Sequence, residues 1–156
     1  MGPLLGTWRG GGRGDYPTIE PFEYTEEVTI GHVGKPFLAY SQRTKGTDGA
    51  PLHAECGYWR PAGERGLEVL VVHPSGIAEV LVGEVTETHY GLLTTLRAGA
   101  GAGAGARVAL APTAKQVDAT ERRISVDGDT MRYEVHMAAV GEAMTLHLEA
   151  SLRRVD

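Results

Sequence analysis

From Phe22 to Ile30 the chain alternates. Phe22, Tyr24, Val28 and Ile30 share one parity, Glu23, Thr25, Glu27 and Thr29 the other, and only Glu26 breaks the order. A period of two is that of a β-strand with one dry and one wet face. Comparable runs lie at Pro36–Gln42, Leu52–Arg60, Leu67–His73, Ile77–Val85, Thr88–Leu96, Lys115–Val126, Thr130–Ala138 and Met144–Arg154, and Thr7–Arg9 supplies a tenth. No segment shows the long three-to-four periodicity of an amphipathic helix. Turn residues punctuate the runs: Gly31 to Gly34, Pro74-Ser75-Gly76, and the hairpin signal Asp127-Gly128-Asp129. The pattern predicts an all-β fold, a ten-stranded antiparallel up-and-down barrel, because closure removes edge strands and leaves room for one small ligand.

Two segments depart from the pattern. Ala98–Ala106 alternates Ala and Gly, has no side chain to pack a core, and reads as a flexible loop. Gly6–Gly14 carries five glycines but no preceding strand or following helix, which excludes a nucleotide-binding loop. At 156 residues the chain is expected to form one domain, 1–156.

Composition narrows the function. With 20 acidic against 15 basic residues the net charge is −5, which disfavours nucleic acid and anionic membranes as partners. No apolar stretch approaches the roughly 20 residues of a membrane span, and no basic-then-apolar leader opens the chain, so a cytoplasmic location is expected. The one cysteine, Cys56, has no internal disulfide partner. No Gly-x-Ser-x-Gly elbow, Cys-x-x-Cys pair or His-Glu-x-x-His helix is present. Glu26 with Glu27, and Glu121 with Arg122 and Arg123, are neighbours on strands and therefore face opposite ways, so neither group forms a ready constellation. Trp8 and Trp59 read as packing residues.

Several dispersed motifs, in order, resemble the nitrobindin family. They are Gly6-Thr7-Trp8-Arg9-Gly10-Gly11-Gly12, Tyr16-Pro17-Thr18-Ile19, Pro21-Phe22-Glu23-Tyr24, His32-Val33-Gly34-Lys35-Pro36, His53-Ala54-Glu55 through Gly57, and Met144–Arg154 with His147 inside it. The resemblance covers almost the whole chain. It implies a barrel of fatty-acid-binding-protein or lipocalin-like architecture holding haem b, one per subunit, mainly ferric. It also implies binding of nitric oxide and isomerisation of peroxynitrite to nitrate, with small molecules as the partners. A metal-free carrier of apolar ligands and a nitric oxide sensor are the alternatives, and a homodimer stays open.

By the same resemblance His147 is the axial ligand of the haem iron, Thr18 a haem contact, and Lys115 a partner for a propionate. Neutral imidazole is the ordinary protein ligand of a non-covalent haem. His32, His89 and His136 lie in turns or among polar alternates and read as solvated or hydrogen-bonded. Strict alternation groups His147 with Thr145, Glu149, Ser151 and Arg153, opposite Leu146, Leu148 and Leu152, which is the parity of an outer face. A position at the barrel mouth, a polar lumen or a local bulge each reconciles this with ligation. His73 follows the face of Val69 and Val71, while alternation does not settle His53. No distal histidine is assigned.

Overall fold

The computed structural model describes Met1–Asp156. A 3-10 turn, Gly2–Leu4, precedes eleven strands: β1 (Gly6–Tyr16), β2 (Ile19–His32), β3 (Leu38–Gly46), β4 (Pro51–Ala62), β5 (Gly66–His73), β6 (Ile77–Glu87), β7 (Gly91–Gly99), β8 (Arg107–Leu110), β9 (Val117–Asp127), β10 (Thr130–Ala139) and β11 (Thr145–Arg154). Ten of them run antiparallel in the order β5-β4-β3-β2-β1-β11-β10-β9-β7-β6, and a β5–β6 pairing closes the ring. The expected barrel is therefore present, with β8 added. β7 pairs with β6 along Val82–Glu87, and β8 takes over along Ile77–Val80.

Three local expectations are corrected. The glycine-rich opening is a full strand, because the Phe22 and Tyr24 rings of β2 lie across Gly14 and Gly12 of β1 and occupy the space a Cβ would need. Glycine here marks close approach, and the strand expected at Thr7–Arg9 extends over the whole segment. The Ala-Gly tract begins inside β7, since Ala98 is fully buried and Gly99 pairs with Ala119. The segment Arg107–Leu110, passed over by the pattern, is β8.

One end of the barrel is closed. Trp8, Leu4, Leu67, Leu81, Leu92, Leu96 and Leu152 are buried to 1% exposure or less, and each such side chain contributes about 1.5–3 kcal/mol. The 3-10 turn plugs this end, with Trp8 Nε1–H donating to the Leu4 carbonyl at 3.0 Å and the Arg154 guanidinium 4.1 Å above the indole. Antiparallel order sends the β1–β2, β3–β4, β5–β6 and β10–β11 turns to the other end. That end is open. No helix is long and apolar enough to cross a membrane.

Candidate functional site

A cavity of about 720 Å³ enters the barrel from the open end, with a mainly apolar lining. That volume lies in the roughly 300–1,000 Å³ range of small-molecule and cofactor sites. Thr18, His53, His73, Lys115 and His147, dispersed in sequence, all line it. Thr18 stands exposed in the β1–β2 turn and Lys115 exposed just before β9. His32 is exposed at the end of β2 and His89 in the β6–β7 turn, and His136 does not reach the cavity. A wider, open depression of about 1370 Å³ on the barrel exterior, lined by polar residues such as Arg13, Arg123 and Glu134, contains no histidine.

The parity of His147 is resolved by a bulge. Leu148 pairs with Val135 and Leu146 with His136, so His147 is the extra residue in β11. The frame shifts by one there: Leu146 turns outward, and the consecutive residues His147 and Leu148 both line the cavity. Asp15 sits at a register break between β1 and β2, and its carbonyl accepts from His147 Nδ1–H at 3.1 Å. A carbonyl only accepts, so the proton resides on Nδ1 and Nε2 keeps its lone pair. Tyr16 meets the imidazole edge-on with ring centroids 5.3 Å apart. The Tyr16 hydroxyl is itself fixed, donating to the Met137 carbonyl at 3.0 Å and accepting from Ala139 N–H at 3.0 Å. Burial lowers the pKa of His147, favouring the neutral ring.

β5 lies directly across the ring from β11, with four strands between them on either side. There His73, joined by His53 of adjacent β4, faces the lumen. The two rings share a hydrogen bond of 3.1 Å between His53 Nε2 and His73 Nδ1. His73 Nδ1 is 3.2 Å from Glu55 Oε2, and its Nε2 is 3.4 Å from Glu79 Oε2 without hydrogen-bond alignment. The side chain of His73 is 10% exposed, that of His53 38%.

Behind the histidines runs a buried polar network that sequence reasoning missed. Arg122 donates to Glu55 Oε1 at 2.6 Å and to Glu79 Oε2 at 2.8 Å, and the Tyr40 hydroxyl donates to Glu55 Oε1 at 2.6 Å. Glu26 accepts from Gln42 and, at 2.7 Å, from the Tyr133 hydroxyl. Burial, the largest single effect, pushes Glu79 up, but the Arg122 charge and His73 together outweigh it and bring the carboxyl down to about 2. Glu55 is likewise held well below the carboxylate range by Arg122 against the burial effect. Glu26 lacks such a partner in contact, and burial raises it to about 7. Adjacent residues do face opposite ways, as expected, with Glu27, Glu121 and Arg123 outside; the constellation forms across strands from Glu26, Glu55, Glu79 and Arg122.

A large apolar cavity and an imidazole whose free Nε2 belongs to its wall fit a haem. Residues 1–154 match the family described as "THAP4-like, heme-binding beta-barrel domain". "Peroxynitrite isomerase 2" of Mycobacterium avium (strain 104) is 50% identical over 99% of this chain and 92% of its own. "Peroxynitrite isomerase" of Nocardia farcinica is 46% identical over 99% and 88%. The crystal structure of Rv2717c from M. tuberculosis superimposes with a TM-score of 0.93 at 46% identity, covering 99% of this chain and 94% of that one. The chain belongs to the family of THAP4-like haem-binding β-barrel domains, the nitrobindin family that its motifs resemble.

Proposed function

We propose that the cavity holds one haem b per chain on His147 Nε2 and that the loaded protein isomerises peroxynitrite to nitrate, resting in the ferric state and binding nitric oxide. The observation that carries the reading is the tautomer of His147: Asp15 fixes the proton on Nδ1, leaving Nε2 as the donor in a lined cavity. Relatives at 46–50% identity that carry the isomerase name support the reaction. Held on His147, the haem would supply the redox-active iron for the rearrangement of peroxynitrite.

The chain supplies orientation and enclosure. Tyr16 and Asp15 hold the imidazole plane, the bulge brings it inside, and the apolar wall of Ile19, Phe22 and Leu148 excludes water from the macrocycle's faces. Thr18 and Lys115, exposed at the rim, would offer a hydroxyl and an ammonium to haem propionates. Peroxynitrite and nitrate have the same atoms and the same charge, so the conversion consumes and releases no net proton. His53 and His73 are bonded to each other and lie against the carboxylates, so neither is preorganised as a free donor to stabilise dioxygen, which favours the ferric resting state.

Mixing the protein with hemin and recording the absorption spectrum tests the first half: a Soret band at one equivalent is expected. Peroxynitrite should then decay to nitrate faster with holo than with apo protein. Equal decay at matched concentration removes the isomerase reading while leaving haem binding in place.

A further inference from the structure

We propose that His53, Glu55 and His73 form a binding site for a divalent metal ion of borderline softness, of the Zn²⁺ class, on the wall opposite His147. Three donor atoms converge: His53 Nε2, His73 Nδ1 and Glu55 Oε2 are separated by 3.1, 3.2 and 3.6 Å. Bonds of about 2.0–2.1 Å in a tetrahedron place ligand atoms about 3.3–3.4 Å apart, so the three already outline one face of that polyhedron. Two imidazoles and one carboxylate suit zinc or ferrous iron and leave one position for water or a small anion. The half-exposed His53 opens that position toward the cavity.

The surroundings support the donors as an outer shell does. Glu79 stands behind His73 Nε2, the ring nitrogen that would not bind the ion, and Tyr40 and Arg122 donate to Glu55. With Glu55 and Glu79 set against Arg122 alone, the buried group carries one uncompensated negative charge, which a cation neutralises. In the metal-free protein the hydrogen bond between His53 Nε2 and His73 Nδ1 occupies the space, one of the two nitrogens carrying the proton. Both nitrogens must offer lone pairs to the ion, so binding moves that proton to the other nitrogen of its own ring or to solvent.

The site does not rest on the haem reading, and its test uses haem-free protein stripped with a chelator. Titration with Co²⁺ should give the intense visible bands of a tetrahedral ion at one equivalent, discharged by Zn²⁺. The same result is expected in His147→Ala. In His53→Gln, chosen because the side chain is half-exposed, Co²⁺ affinity should fall at least tenfold. In wild-type protein Zn²⁺ should shift the imidazole ¹⁵N signals of His53 and His73 and leave those of His32 and His89 in place, a readout independent of any variant's folding. Absence of binding, equal binding in a folded His53→Gln, or shifts confined to other histidines would overturn the proposal.

Discussion

The ring of His147 on β11 donates to the backbone carbonyl of Asp15 on β1, 3.1 Å away. Since the acceptor is main chain, Asp15→Ala should leave hemin affinity within about threefold of wild type, whereas His147→Ala should abolish the Soret band and keep the β-sheet circular dichroism. Equal hemin affinity in His147→Ala would remove the ligand assignment.

Burial lowers the pKa of His147, so protonation begins to compete with a metal only below the ordinary histidine range. Hemin affinity should stay flat as pH falls from 8 to about 6.5. A decline already complete by pH 6.5 in a spectroscopic titration would contradict it.

Arg122 holds two buried carboxylates. Removing it as Arg122→Met strands Glu55 and Glu79 and should destabilise the fold by about 3–5 kcal/mol, read from urea midpoints at pH 7. Adding Glu55→Gln and Glu79→Gln should recover much of the loss. A shift below 1 kcal/mol for the single variant would show that water already reaches the pair.

Glu26 titrates with the opposite sign from Glu79. Its folded pKa, about 7, lies above the 4.5 of the unfolded chain, so the folded state holds the proton longer and stability falls as pH rises between those values. The fall approaches about 3 kcal/mol above pH 7. Glu79, at about 2, works the other way: its stabilisation is present above pH 4.5 and lost as pH falls toward 2. Glu26→Gln retains partners for Gln42 and Tyr133 and should flatten the loss between pH 5 and 8. Parallel pH–stability curves for variant and wild type would refute this.

The Ala-Gly tract has two parts. Deleting Ala102–Gly103 shortens only the connection beyond β7 and should cost under about 0.6 kcal/mol, with haem uptake unchanged. Gly99→Ala places a methyl on the Asp118 carbonyl at a φ of +86° and should cost at least about 1–3 kcal/mol. Thermal unfolding of both variants separates the two regimes.

Alternation sufficed for the barrel because each strand's parity is a local property. Contacts between strands are not. Arg122 and Glu55 meet across 67 residues, and only the charge on an otherwise apolar parity, visible at Glu26, hinted that polar groups turn inward. His147 defeated alternation for a different reason, since a bulge changes the frame without leaving a mark in composition. The strand Gly6–Tyr16 was obscured because the rings that replace its side chains belong to β2.

The ring is sealed by β1 pairing with β11, the first strand with the last. On the ribosome, every other neighbour of the barrel wall can be in place while one seam gapes, and the residue nearest the seam's open end is His147. The lumen thus stays a trough until β11 has been made and pairs with β1. Acquisition of the prosthetic group therefore waits on the docking of β11, and a nascent chain stalled before β11 would offer hemin no imidazole from that wall.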